Sequence, residues 1–165
     1  MPWLRRSRPV AEIGDPCYNG TMDPALDEVR QVYAELAARP IDRNCVRLKE
    51  CCHFKLTGRT PYLTKGEALV AAEALRATGR TQLPANPSGA CPLLEPTAGN
   101  CLIYEARPFG CRTHFCAVAG GPYARREVID LIRRLEAIDE ALRGTGPRRL
   151  QDAVSDAMNE LQRRP

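Results

Sequence analysis

The sequence predicts a small, mainly α domain with a minor β part, its helices gathered around a cysteine-rich loop region. Three observations carry this. Apolar residues recur at helical spacing in four stretches. Prolines and glycines, 14 and 12 of them, break the middle of the chain into short pieces. Seven of the eight cysteines fall between residues 45 and 116 rather than spreading along the chain.

Residues 1–22 read as an irregular N-terminal arm. Asp23-Pro24 then opens a helix, with Asp23 as N-cap and Pro24 in its first turn. Leu26, Val29, Tyr33 and Leu36 give it one apolar face, and it should stop near Arg39, ahead of Pro40. Residues 41–63 form a first cysteine loop and an extended connector. Thr64 and Glu67 have the spacing of a capping box, so an Ala-rich helix should run to about Thr78 and end at Gly79. Residues 80–100 are rich in Pro, Gly and Asn and read as loop. The segments CPLL (91–94) and CLIY (101–104) suggest a short β-hairpin turning over Glu95–Asn100.

The last third is helical. Val128, Leu131, Ile132, Leu135, Ile138 and Leu142 repeat at helical spacing, and Gly144 and Gly146 end that run. Pro147 is expected to start another helix, with Leu150, Val154, Met158 and Leu161 as its stripe. The two should form a C-terminal helical hairpin. The expected organisation is an arm (1–22), a cysteine-cluster metal-binding region (23–120) and a helical hairpin packed on it (121–165).

Composition narrows the function. A chain of 165 residues can remove roughly two thirds of its unfolded surface from water, so a crosslink is not obligatory for folding. The net charge is +4, from 24 basic and 20 acidic residues. Arginine pairs such as Arg133-Arg134 sit beside Glu and Asp in helical patterns, which reads as a solvated face. No dense basic stripe with interleaved aromatics argues for nucleic acid. The basic start has no apolar stretch behind it, as a secretory signal would. No apolar run reaches the roughly 18 residues of a membrane span. The expectation is a cytoplasmic chain whose cysteines stay reduced, a setting in which clusters read as metal-binding or catalytic.

The clusters are Cys45, Cys51 and Cys52 in one segment, and Cys101, Cys111 and Cys116 in the other. Cys91 lies on the facing strand of the expected hairpin. Thiolates from two sharply turning segments are the usual donors to zinc or to an iron–sulfur cluster. Pro108 and Gly110 permit a bend that returns Cys111 toward Cys101. All seven are candidate ligands. The alternative for any one of them is a small buried hydrophobe. Adjacent Cys51 and Cys52 are awkward as joint ligands of one tetrahedral ion, so the expectation is that one ligates while the other packs, bridges to a second metal or reacts.

The order of these pieces resembles the YkgJ family of cysteine-cluster proteins, of CxxCxxCC type. The matching residues are Cys45, Cys51 and Cys52; Leu63-Thr64 with Glu67; Cys91-Pro92-Leu93; and the block Cys101 to Arg112, CLIYEARPFGCR. They span about residues 42–116. The resemblance implies a zinc- or iron-chelating domain. One position departs: the second cysteine of the family motif falls on Leu48, which cannot ligate. Cys116, Cys17, His53 or His114 would have to supply a replacement donor. Arg107 and Arg112 could donate to thiolate sulfur, cap helix ends or lie in solvent. Tyr104 reads as core.

The expected function is a metal-binding protein chelating zinc or iron through cysteine thiolates, with an iron–sulfur cluster as one form of the iron. The alternative is an iron–sulfur oxidoreductase or electron-transfer protein. A cysteine nucleophile, Cys116 or Cys52, is the third reading. The sequence has no Gly-rich nucleotide loop and no HExxH helix. The metal ion is the implied partner, and the residues name no membrane, redox or protein partner.

Overall fold

The computed structural model describes residues 23–40, 43, 45 and 48–163. The N-terminal arm and Cys17 lie outside the described residues.

Helix α1 runs Pro24–Ala38. The Asp23 carboxylate accepts from the Ala25 backbone N–H at 3.1 Å, and Arg39 closes the helix one residue before Pro40. Leu26, Val29, Val32, Tyr33 and Leu36 are buried, one stripe of a 3.6-residue period. A 3-10 turn, Glu50–Cys52, leads into the short helix α2, Phe54–Thr57, which Gly58 ends in the left-handed region.

Helix α3, Lys65–Ala77, is the central element. It packs against α1 and against the two C-terminal helices α5 (Arg125–Ala141) and α6 (Leu150–Arg163). Its small residues let neighbours approach on several sides, and Ala68, Leu69, Val70, Ala71, Ala72 and Leu75 are all buried. A methyl group on Gly66 would stand 2.9 Å from Val29 Cγ2, so this glycine sets how closely α1 and α3 meet. The capping box forms at Thr64 and Glu67.

The fold is mostly helical, with a small antiparallel sheet and a C-terminal helical hairpin, as expected. The arms of the hairpin find their main partners elsewhere: α5 lies on α1 and α3, and α6 lies on α3. Each arm buries its apolar stripe, Val128, Leu131, Leu135 and Ile138 on α5 and Leu150, Val154, Met158 and Leu161 on α6.

Three local expectations are corrected. First, CPLL and CLIY do not form strands; they meet in a single antiparallel bridge, Leu94 to Cys101. Pro92 has no N–H to offer, and the Cys91 N–H is spent on the Cys52 carbonyl. Second, the two-stranded sheet pairs β1, Tyr62–Leu63, with β2, Arg148–Arg149, far apart in sequence. Third, Pro147 does not open the last helix. The chain first runs through β2, and the Leu150 N–H donates to the Pro61 carbonyl at 2.9 Å as α6 begins.

Charged residues lie outside, as the arginine pairs suggest. Arg134 reaches Glu35 at 2.6 Å, and Arg30 joins Asp27 at 2.7 Å to Glu73 at 2.5 Å. Exposed pairs of this kind contribute little. Among the described residues two carboxylates are buried instead, Glu67 and Asp139. The Asp139 carboxylate accepts from the Lys65 N–H at 2.6 Å and the Gly146 N–H at 2.9 Å, closing the loop after α5 onto the start of α3.

Candidate metal centre

Four segments without long helices of their own supply Cys51, Cys52, Cys91, Cys101 and Cys111, and Cys45 precedes the first of them. The first is the turn at Glu50–Cys52. Lys49, just before it, adopts φ +66, and its Nζ donates to the Ala98 carbonyl at 3.2 Å. The second is the loop at Cys91. Its N–H donates to the Cys52 carbonyl at 2.6 Å, a direct backbone link between the two clusters. The third is the bridge at Cys101, held when the Leu102 N–H donates to the Leu93 carbonyl at 2.8 Å and the Glu95 N–H to the Asn100 carbonyl at 2.8 Å. The Glu95 carboxylate accepts from the Ala98 N–H inside that turn. The fourth is the short helix α4, Phe109–Thr113, which carries Cys111.

These segments surround one cavity of about 430 Å³. Cys45, Cys51, Cys52, Cys91, Cys101 and Cys111 all line it. So do His114 and Tyr104, with Lys49, Arg59 and Arg107 as the cations. Six of the seven predicted thiols are thus brought together from both clusters. Cys116 is not among the lining residues; its carbonyl accepts from the Ala119 and Gly121 N–H groups at the start of a further 3-10 turn. His53 is exposed and outside the lining, and Leu48, at the departing family position, is 52% exposed. Among the described residues, no three His, Cys, Asp or Glu side chains already stand as a closed ligand set. The thiols ring a space.

The electrostatics are those of acids crowded into a poorly solvated pocket. Burial pushes the Cys111 thiol up, and negative charge on Cys91, Cys101 and Cys51 would push it further, while Arg107 draws it back. Cys91 is pushed up to about 12, first by burial and then by Cys101 and Cys51, against backbone N–H donation from Leu93 and Leu94. Cys101 is raised by burial, with the Ile103 N–H and Arg107 opposing. Cys51 departs the other way. The Cys52 S–H donates to its sulfur and lowers it to about 6, with Arg107 adding to the effect; Cys52 is correspondingly pushed up. Thiols that resist ionising beside one another are the ones a bound cation can deprotonate, because it supplies the missing positive charge.

The arginines of the CLIYEARPFGCR block have separate tasks. Arg112 donates through Nε to the Arg107 carbonyl at 2.7 Å and through a terminal nitrogen to the Glu105 carbonyl, and its guanidinium lies 4.4 Å over the Tyr33 ring. It fastens the 104–106 turn to α4. Arg107 donates through Nε to the Tyr104 carbonyl at 3.0 Å and stacks 3.9 Å over the Tyr104 ring. It also faces the cavity, where its charge eases ionisation of Cys51, Cys101 and Cys111. Tyr104, expected in the core, is half-buried at the cavity wall.

The donor set fits a thiophilic metal. Cysteine sulfur suits zinc, iron or an iron–sulfur cluster and does not suit magnesium or calcium. No helix among the described residues is long and apolar enough to cross a membrane. No curated protein and no solved structure matches the chain. A family model does match, over residues 43–134, which takes in all the cavity cysteines and much of α5, beyond the 42–116 expected from the motifs. The chain belongs to the CxxCxxCC family, whose domain is described as a "putative zinc- or iron-chelating domain".

Proposed function

We propose that the protein chelates zinc or iron in this cavity through the thiolates of Cys51, Cys91, Cys101 and Cys111, with Cys45 and Cys52 at the same wall. The observation that carries the reading is the convergence of six thiols from two distant sequence clusters on one cavity. Charge on Cys51 raises Cys91, Cys101 and Cys111, and Cys52 as well, so these thiols share one electrostatic environment. Cys116 falls outside the proposed set. Residues 23–120 then act as the metal-binding region, with the C-terminal hairpin as its scaffold. The reading places the chain in a reducing compartment such as the cytoplasm, where the thiols stay available.

An iron–sulfur cluster, serving electron transfer or an oxidoreductase, is the second reading. The size of the cavity favours it. At about 430 Å³ it falls in the range of small-molecule sites, roughly 300–1,000 Å³. A lone tetrahedral ion leaves most of that space unused. A bound zinc would supply a closed structural or Lewis-acid centre, and a cluster would supply one-electron chemistry.

Metal analysis of anaerobically purified protein, with a visible spectrum, separates these readings. About one zinc per chain in a colourless protein supports the single ion. Iron with acid-labile sulfide and a broad absorbance that bleaches on reduction supports the cluster. A protein that binds neither zinc nor iron under anaerobic reconstitution overturns both.

A further inference from the structure

Glu67 lies on the central helix, is 3% exposed, and binds its own helix cap and two other segments. One carboxylate oxygen accepts from the Thr64 N–H at 3.0 Å and from the Thr64 hydroxyl at 2.9 Å. The other accepts from the Phe109 N–H at 2.8 Å and from the Tyr33 hydroxyl at 3.4 Å. A capping box needs only the Thr64 bonds. The bond to Phe109 is of another kind. Phe109 is the first residue of α4, its N–H is one of the orphan donors of that helix, and the N-cap Pro108 has no side chain able to accept it. The acceptor comes from Glu67, 42 positions away. Cys111 follows in the same helical turn and faces the cavity.

We propose that Glu67 is the positioning residue for Cys111: its buried carboxylate anchors the amino end of α4 and so fixes where the Cys111 sulfur stands at the cavity wall. The proposal rests on the chelating function above. Glu67 is not among the residues that line the cavity. It acts through the Phe109 amide, as outer partners of metal ligands do when they orient a donor. Tyr33 completes the anchor, since its ring also lies under Arg112 of α4. Two ends of one five-residue helix are thereby tied to α1 and α3, and little freedom is left to the cysteine between them.

Two variants test this. Glu67→Gln keeps the size and loses the charge. Glu67→Asp keeps a carboxylate for Thr64 and gives up the reach to Phe109. Each should hold zinc about 10–100-fold more weakly, the usual loss when an outer-shell partner is removed. With cobalt as the probe, the sulfur-to-metal charge-transfer band should weaken as one thiolate is lost. Asp139→Asn is the control, because Asp139 is an equally buried carboxylate that binds N–H groups away from α4. It should lower the melting temperature and leave zinc affinity unchanged. The proposal is overturned if both Glu67 variants fold and bind zinc as the parent does, or if Asp139→Asn weakens zinc equally. Failure of both Glu67 variants to fold also counts against it, since Glu67 would then serve the whole fold. Alkylation of Cys111 in the metal-free protein separates this idea from the ligand assignment. Faster alkylation in the Glu67 variants supports the anchoring even if Cys111→Ser retains zinc; an unchanged rate refutes it.

Discussion

The helical scaffold and the cysteine-bearing loops are held together by different physics. In the scaffold, α1, α3, α5 and α6 bury leucines, valines and alanines against one another, and each face follows from a 3.6-residue period. In the loop region the 3-10 turns bury none of their own residues fully except Ala119; Phe54, Leu93, Leu94, Ile103 and Phe109 enter the core from beside them, and single hydrogen bonds such as Cys91 to Cys52 and Phe109 to Glu67 set the local shape. The first region has a driving force of its own. The second shares part of that core and adds a template of hydrogen bonds around the thiols. A metal site built in this way would couple binding to local order without requiring the whole domain to fold around the ion.

Substitutions can break or sharpen that contrast. The largest effect should come from the scaffold: Leu69, fully buried in α3, replaced by alanine should cost about 2–5 kcal/mol. Denaturant titration should show that loss with and without metal. Cys101→Ser and Cys111→Ser should behave differently. In the metal-free state their melting temperatures should stay near the parent's, and what disappears is the rise on adding zinc, about 2.7 kcal/mol at one hundred times the dissociation constant. Equal losses in both states would erase the distinction between the two regions.

A smaller, pH-dependent effect follows from Glu67. Burial holds its carboxyl above the usual value of 4.5, against the hydrogen bonds from Thr64, Phe109 and Tyr33 that favour the charged form. The folded state therefore keeps the proton longer than the unfolded chain. Stability from this group is present below about pH 4.5 and is lost as pH rises toward the folded-state value. Melting curves of the parent and Glu67→Gln should diverge in that direction, the parent losing ground as pH climbs. The neighbouring ionisable groups, Tyr33 and Arg112, keep their charge states across that interval, so a pH-independent difference would contradict the assignment.

The mildest test is chemical. In metal-free protein at neutral pH, iodoacetamide should label Cys51 first, with half-maximal rate near pH 6, because the Cys52 S–H stabilises its thiolate. Cys91, Cys101 and Cys111 are held up by burial and should lag. Uniform labelling would show that the loop region does not keep its arrangement without metal.

The two regions also differ in how much the bare sequence discloses. The bounds of α1 follow from Asp23-Pro24 and Pro40, and those of α3 from Thr64, Glu67 and Gly79, since caps and breakers act within a few residues. The gathering of thiols into one place is legible from their clustering. Its details are not. Cys116 sits five positions from Cys111, yet the chain turns away after α4 and leaves it outside the cavity. The strands expected at CPLL and CLIY shrink to one bridge because the Cys91 amide has a distant partner. The sheet forms between Tyr62–Leu63 and Arg148–Arg149, two dipeptides with no local sign of pairing. Glu67 announces a helix start and conceals its second task, since nothing near it in sequence points to Phe109.

The seam between Pro61 and Leu150 has a practical consequence. Both residues border the cavity, and the bond between them continues directly into the paired dipeptides 62–63 and 148–149. Arg148 and Arg149 are exposed on that seam and are natural trypsin targets. If metal occupancy of the sulfur-walled space tightens this seam, trypsin should clip Arg148 and Arg149 more slowly, a readout that needs no spectroscopic handle on the metal itself.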